Sequence, residues 1–514
     1  MPAVRTPELP ALWQRPITRP GNLRLPDTFT FLNRPLRLGE VGWDCPSVSR
    51  LWRYHLHYFD WLMDDRIPPG EQRKLVDCWI AGNAPPSSRR IGTGWEPYPL
   101  SLRIVNWIKW DLEMRRHGAS GLPDGATLSL ATQARQLAAR LEYHLLGNHL
   151  WANAKALVFA GVYFNGDEAD RWVAKGLQLV ERELAEQVLP DGGHFELSPM
   201  YHAIFLEDLL DLLNLYAVFP GRFRAEVARR ITDKSVAMLW WLRKLTHPDG
   251  RPAQFNDCAL DGAPHVNELA AFAGRLGLQT ANHHTTQSAL LTSSGYARLQ
   301  EGSAVLLADV GRAGPDYMPG HAHADALSFE LSLWGERVCV NGGTSTYDVS
   351  PERLRERGTA AHNTVTVDGR NSSDVWGSFR LGRRIVNVSA ELREARDCSI
   401  LEGSFMGFYH AGRWCRHHRT WKLTRQSLEI CDEVSGLFRS CEAQFRLTPG
   451  WSATLTDRGC LIHSQDRVIE LDTSSTIRIE RGKWAPNFGV TVPVDVIWIA
   501  LREGRGKAVL SWSG

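Results

Sequence analysis

The segment GHAHADALSF (Gly320–Phe329) alternates imidazole or carboxylate with small apolar residues, and TAAHNTVTVD (Thr359–Asp368) follows with a second alternation. Side chains two apart share one face of a β-strand. A strand through the first segment therefore puts His321, His323, Asp325, Leu327, Phe329, Leu331 and Leu333 on one side. The apolar half of that face is sandwich core; the other half lines up two histidines and an aspartate at the strand end. His362 opens the second run, in which Thr364 and Thr366 alternate with Val365 and Val367. Titratable groups gathered at the ends of core strands point to a site, although His and Asp also finish strands in water with no further role.

Similar alternation recurs at Ala304–Asp309, Leu327–Leu333, Asn363–Asp368, Ile385–Leu392, Arg416–Leu423, Leu428–Val434 and Val490–Ile499, punctuated by Gly, Asp and Asn. Short strands with such turns predict an antiparallel sandwich over 290–514. Upstream the period changes. Leu51, Tyr54, His55, Tyr58 and Leu62 recur at three- and four-residue steps, followed by a helix over about Ser101–His117. Apolar stripes then run through Leu150–Gly161, Leu177–Val188 and Phe205–Tyr216. Helices with short connections predict an all-α domain over 49–280, a bundle or a ring of hairpins. Residues 1–48, rich in Pro and Arg, read as an arm with short strands at Thr28–Leu32 and Pro35–Leu38. The boundary falls in the polar stretch Gly277–Ser294, which carries His283, His284, Thr285 and Thr286.

A chain of 514 residues exceeds what one core organises. Lys+Arg 59 against Asp+Glu 57 leaves a net +2, so no bulk field favours nucleic acid or a membrane surface. Anions must be met locally, by Arg353, Arg355 and Arg357 or by Arg380, Arg383 and Arg384. Twenty Trp residues offer flat apolar faces of the kind that suit sugar rings. The nine cysteines show no CxxC spacing, which favours reduced thiols and argues against a thiolate zinc site. The N-terminus lacks an apolar leader with a cleavage site, and no run of about 18 apolar residues occurs. By sequence the chain is expected to be cytoplasmic, or periplasmic if a leader has been removed.

The helical half has its own polar punctuation. Gly147-Asn148-His149 precedes an apolar helix, which makes Asn148 a natural N-cap. Asp191–Glu196 forms a turn, and Ser198-Pro199 starts a helix by cap and first-position proline. Tyr201 then falls in the first turn, where the helix end favours negative charge. A phenol with a pKa near 10 needs such help to act as a base at neutral pH.

GNHLWANAKAL, DGGHFELSPMYH, PGHAHADALSFEL and RGTAAHNTVTVDG resemble the heparinase II/III family of polysaccharide lyases, over roughly residues 50–400. The resemblance implies an incomplete (α/α) toroid followed by antiparallel β-sheets. It also implies β-elimination at a uronic acid of an anionic polysaccharide. That reaction needs the substrate carboxylate neutralised, a base for the adjacent proton and an acid for the leaving oxygen. By resemblance Asn148, with His149 nearby, neutralises the carboxylate. Tyr201 and a sandwich histidine, His323, transfer protons. Arg357 is a candidate substrate contact, joined by His202, His321, Glu196 and Trp95.

Some relatives hold a zinc at this junction with two histidines and an aspartate. Here His323 and His362 are present, but Asn341 in VCVNGGTSTYD stands where the carboxylate is expected, and an amide oxygen is the weaker ligand. No cofactor is required by the chemistry, and a structural zinc at His323, Asn341 and His362 is the open alternative. Two rivals remain. A glycoside hydrolase would use Glu96, Asp191 and Glu196 as an acid/base set; a non-catalytic polysaccharide-binding protein would use the tryptophans. The uronate, the linkage and the oligomeric state are not legible.

Overall fold

Ser49 ends the leading segment and starts the first long helix. Its hydroxyl accepts from the Trp52 amide at 3.4 Å, satisfying one of the donors that a helix start leaves without a partner. The structure, a computed structural model, describes residues 3–19, 21–86, 91–279, 287–410 and 412–513. His283, His284, Thr285 and Thr286 of the expected boundary lie outside them. The chain packs as two compact units. One comprises Met1–Gln187, Phe205–Val236 and Glu268–Thr280; the other comprises Val188–Ile204, Ala237–Asn267 and Ala281–Gly514. Segments 188–204 and 237–267, assigned by periodicity to the helical domain, thus group with the strands.

Beyond a single turn at Leu38–Val41, the α-helices among the described residues are α1 (Arg50–Tyr58), α2 (Pro69–Gly82), α3 (Pro97–Arg116), α4 (Asp124–Ala138), α5 (Gly147–Tyr163), α6 (Asp167–Gln187), α7 (Pro199–Val218), α8 (Ala225–Lys244), α9 (Val266–Arg275) and α10 (Pro351–Arg357). None among the described residues is long and apolar enough to cross a membrane. α5 is buried all round from Leu150 onward and packs between α3 and α6. Two glycines set the α5–α6 distance. A Cβ on Gly161 would stand 2.3 Å from the Val173 amide nitrogen, and one on Gly176 would stand 2.8 Å from that of Val158. The leading segment lies on these helices, with Arg5 donating to the Val162 and Phe164 carbonyls and Trp13 donating to Glu113.

Charge is buried within the same unit. Lys155 Nζ meets Asp208 and Asp211 at 2.6 Å each, Lys109 reaches Asp211 at 2.9 Å, and Trp151 donates to Asp208 at 2.8 Å. Burial pulls the Lys155 pKa down, but the two carboxylates outweigh it and the net shift is upward.

Besides the two-stranded hairpin Val375–Trp376/Arg380–Leu381, the second unit holds three larger antiparallel sheets among the described residues. Five strands (289–291, 296–301, 304–309, 329–333, 336–339) form one. Four (477–487, 490–500, 441–446, 365–367) form the second. Eight (386–395, 398–410, 413–423, 427–435, 505–512, 467–472, 459–464, 452–456, in spatial order) form the third. They share one apolar core, in which Phe329 packs edge-on against Phe445 at 5.5 Å. Arg419 is fully buried in it, bonded to Asp432 and donating to the Leu327 and Asn363 carbonyls at 2.9 and 2.7 Å. The expected helical domain followed by a β-sandwich is the observed class.

One expectation fails at a functionally important place. The segment Gly320–Ser328 is not a strand; pairing begins only at Phe329. Its backbone groups are taken by partners outside any ladder: the Asp257 amide donates to the His321 carbonyl, the His323 amide to Asn256 Oδ1 and the Ala324 amide to the Arg357 carbonyl. Likewise, the strand after His362 starts at Val365.

Two stability tests arise from the buried charges. Lys155→Ala leaves Asp211 with Lys109 alone and Asp208 with only the Trp151 indole N–H, and is expected to cost about 3 kcal/mol in denaturant unfolding. Burial alone would raise the pKa of Asp432, but Arg419 and His417 overcome it and hold the carboxyl down at about 2. A depressed carboxyl contributes stability that is complete above its unfolded pKa and is lost as pH falls through the folded one. Asp432→Asn is therefore expected to lower thermal stability at pH 7, with its gap to the parent narrowing as pH falls from about 4 to 2.

Candidate active site

Asp257, in the buried loop after α8, gathers the polar centre of the second unit. Its carboxylate accepts from His321 Nδ1 at 2.9 Å, His323 Nε2 at 2.8 Å, and both terminal nitrogens of Arg353, one at 2.7 Å. Burial would raise its pKa; Arg353 and the two histidines reverse this and hold it well below the usual carboxylate range. The preceding Asn256 has a left-handed backbone (φ 55°). That turn lets its side chain donate to the Leu197 carbonyl at 2.9 Å and accept from the His323 amide at 2.8 Å.

The same loop fixes the start of α7. Ser198 donates its hydroxyl to the Asp257 carbonyl at 2.5 Å and accepts from the Tyr201 amide at 3.2 Å, as expected of the cap. Tyr201 is half-buried, and its ring stacks on His321 with centroids 3.9 Å apart. Its hydroxyl lies 3.2 Å from that of Tyr347. His321 Nε2 lies 3.4 Å from buried Glu196. The Tyr347 ring carries Arg353 at 4.9 Å from its centroid, and burial drives its phenol well above the ordinary pKa.

Several expected contacts with a ligand are replaced by structural roles. His202 is fully buried; its Nε2 donates to the Met238 carbonyl at 2.8 Å, its Nδ1 accepts from the His194 amide, and its ring stacks on Trp241 at 4.3 Å. Burial takes its pKa down to about 3. Arg357 is also fully buried, donating to the Ala322, Gly377 and Arg380 carbonyls. Trp95, in the helical unit, packs on Trp79 and donates to the Asn83 carbonyl at 3.2 Å. None of these three presents a face to a substrate. Asn148 is not the cap of α5, a position Leu146 occupies; it stands half-exposed in the first turn. His149 beside it meets Glu142 at 3.1 Å and the Tyr98 ring at 4.5 Å.

His323 differs from His321. It is fully buried, and burial lowers its pKa to about 4 against the pull of Asp257. Its Nδ1 has no hydrogen-bond partner, and neither ring nitrogen of His362 has a hydrogen bond of ordinary geometry. His323, His362 and Asp325 bring ligand atoms within 4.8 Å of one another. Asn341 uses its side-chain oxygen otherwise, accepting from the Asn363 amide at 3.2 Å. The open Nδ1 of His323, the His362 imidazole and a buried carboxylate fit a divalent metal of the zinc type. The carboxylate is Asp325, and Asp257 would be the outer partner that orients His323.

Sequence reasoning missed Asp257, Asn256 and Tyr347, and read Arg353 only as part of an anion-binding run. The one available signal was Asn256-Asp257 after Phe255, a polar pair inside an otherwise apolar turn.

The family profile described as "Heparinase II/III N-terminus" matches residues 79–273, and "Heparinase II/III-like, C-terminal" matches 283–513. A heparin-sulfate lyase of Bacteroides stercoris is 26% identical over 359 residues. The match takes in 66% of this chain and 53% of that protein, so the chain spans about half the length of that curated relative. FtsZ-localized protein C of Caulobacter vibrioides is 27% identical over 433 residues, 81% of this chain and 70% of that protein. Among solved structures, a heparinase III covers 90% of this chain and 76% of its own at TM-score 0.69 and 17% identity. The heparan sulfate lyase HepC of Pedobacter heparinus covers 94% and 80% at TM-score 0.61 and 17% identity. At such identities these two structures speak for the fold alone.

Proposed function

Because the chain belongs to the heparinase II/III family, we propose that it is a polysaccharide lyase cleaving a uronic-acid-containing, anionic polysaccharide by β-elimination. The observation that carries this reading is the Tyr201–His321 stack at 3.9 Å: two proton-transfer groups side by side, one of them fixed by a buried carboxylate. With Nδ1 bonded to Asp257, His321 exchanges a proton through Nε2. In this reading His321 takes the place that the resemblance assigns to His323, which burial and its bond to Asp257 withhold from a sugar. Tyr201 and His321 remove the proton next to the uronate carboxylate and protonate the departing glycosidic oxygen. The family resemblance assigns neutralisation of the carboxylate, which makes that proton acidic, to Asn148.

A metal at His323, Asp325 and His362 would supply charge that ties the loop after Gly320 to the segment around His362. The proton steps belong to Tyr201 and His321. The hydrolase rival is weakened because Asp191 is spent on its turn, accepting from the Gly193 amide and from both the amide and hydroxyl of Ser294. The likeness to FtsZ-localized protein C, which extends over more of the chain than the lyase match, supports one second reading, a setting shared with FtsZ; polysaccharide binding without turnover is the non-catalytic alternative to the lyase.

Uronate polysaccharides incubated with the protein and read by ultraviolet absorbance decide between them, since only elimination creates an absorbing double bond. Tyr201→Phe and Asn148→Ala are each expected to lower turnover at least about 100-fold with folding intact. Near-normal elimination by Tyr201→Phe would overturn the mechanism. Elemental analysis of protein purified without chelator is expected to give close to one equivalent of zinc. His362→Ala should lose the metal together with thermal stability, whereas Asn341→Ala should keep it. Metal-free protein of undiminished stability would remove the metal from the proposal.

A further inference from the structure

Nearly all the tryptophan in this chain is spent on packing. Trp52, Trp61, Trp79, Trp107, Trp110, Trp151, Trp241 and Trp421 are essentially inaccessible, and among the described residues Trp376 alone of the tryptophans is exposed, at 58%. It sits on a two-stranded hairpin, Val375–Trp376 paired with Arg380–Leu381. Phe379 on the same hairpin is 43% exposed, and its ring stands 5.9 Å from His321 and 5.2 Å from Tyr347, edge-on to both. Arg380, the cross-strand partner of Trp376, holds its guanidinium 5.9 Å over the indole. Among the described residues no carboxylate pairs with it.

The neighbouring arginines are committed elsewhere. Arg383 pairs with Asp374 at 2.7 Å, and Arg384 donates to the Pro315 and Asp316 carbonyls. Of this basic run, Arg380 is left to meet a ligand.

The hairpin is also held rigidly. Arg353 donates to the Ser378 carbonyl at 3.1 Å, and Arg357 to those of Gly377 and Arg380 at 3.2 and 3.1 Å. Arg353 is the same side chain that closes on Asp257, and Asp257 fixes His321. One buried network thus positions both the proposed proton-transfer histidine and an exposed aromatic–cationic surface beside it. An exposed indole with an unpaired guanidinium over it suits a pyranose ring that carries an anionic group: the ring's C–H face packs on the indole and the anion meets the guanidinium. A protein or lipid partner would not account for the continuity of this surface with His321 through Phe379.

We propose that the hairpin Val375–Leu381 is a carbohydrate subsite that binds a sulfated or carboxylated sugar unit of the polysaccharide, next to the unit at which elimination occurs. The proposal rests on the lyase reading for its occupant, and its test is one of binding, so the two can fail separately.

The full chain, wild type and with Trp376→Ala, Arg380→Gln or both, is run in affinity gels containing heparan sulfate, chondroitin sulfate, hyaluronan or alginate. Both positions are exposed, so the variants should keep the parental melting temperature, which is checked first. At least one polymer is expected to retard the wild type, with each single variant binding about tenfold more weakly, the scale of one lost well-placed contact. Arg380→Gln should also flatten the dependence on salt. In turnover assays the same variants should raise KM for the polymer while leaving kcat within about twofold. Variants that bind every retarding polymer as the wild type does would overturn the subsite, and so would a wild type retarded by none of the four. Weakened binding without ultraviolet-absorbing product would sustain the subsite and overturn the lyase reading.

Discussion

The buried carboxylate of Asp257 is the constraint on which the polar half of the second unit depends. Removing a carboxylate from water is costly unless its lone pairs are filled, and four N–H groups from His321, His323 and Arg353 fill them here. Each donor comes from a different stretch of chain or a different turn of it. Satisfying one buried charge therefore fixes two loops and a short helix at once. The backbone of the same loop then receives Ser198, so the first turn of α7, with Tyr201, is tied to the same point.

Arginine has an unusual distribution in consequence. Arg353, Arg357 and Arg419 are all fully buried, and most of their donors go to main-chain carbonyls or to a paired carboxylate. The planar fork of guanidinium suits this use, because it satisfies several fixed acceptors with one weakly hydrated group. A cluster of arginines in the sequence looks the same whether it faces a polyanion or the protein's own carbonyls. Arg357 was misread for that reason.

Period is a local property, and it was legible. Strands expected at 304–309, 416–423 and 490–499 are found at 304–309, 413–423 and 490–500, and Tyr201 falls in the first turn after a Ser198 cap. The HAHAD stretch was misjudged because alternation measures only where side chains would point if the chain were extended; it carries no information about backbone donors drawn away by Asn256, Asp309 and Arg357. Asp257 could not be found by motif, since its importance comes from partners 64 to 96 residues away in sequence. Trp95 and His202 were assigned by type and position; only packing reveals that both rings are enclosed.

The hairpin at Val375–Leu381 is held through main-chain oxygens of Gly377, Ser378 and Arg380, none of which depends on what side chains those residues bear. Its position and its chemistry are thereby uncoupled. If the hairpin is the proposed subsite, exchange of Trp376 or Arg380 alters what it recognises without loosening the network beneath it, whereas Phe379 also packs on His321 and Tyr347. On that proposal, a lineage carrying this scaffold would drift from one glycan to another by changes at Trp376 and Arg380 while His321, Tyr201 and their support stay as they are. Divergence in ligand preference should accordingly be sought in this short turn before it is sought in the residues of the proposed reaction.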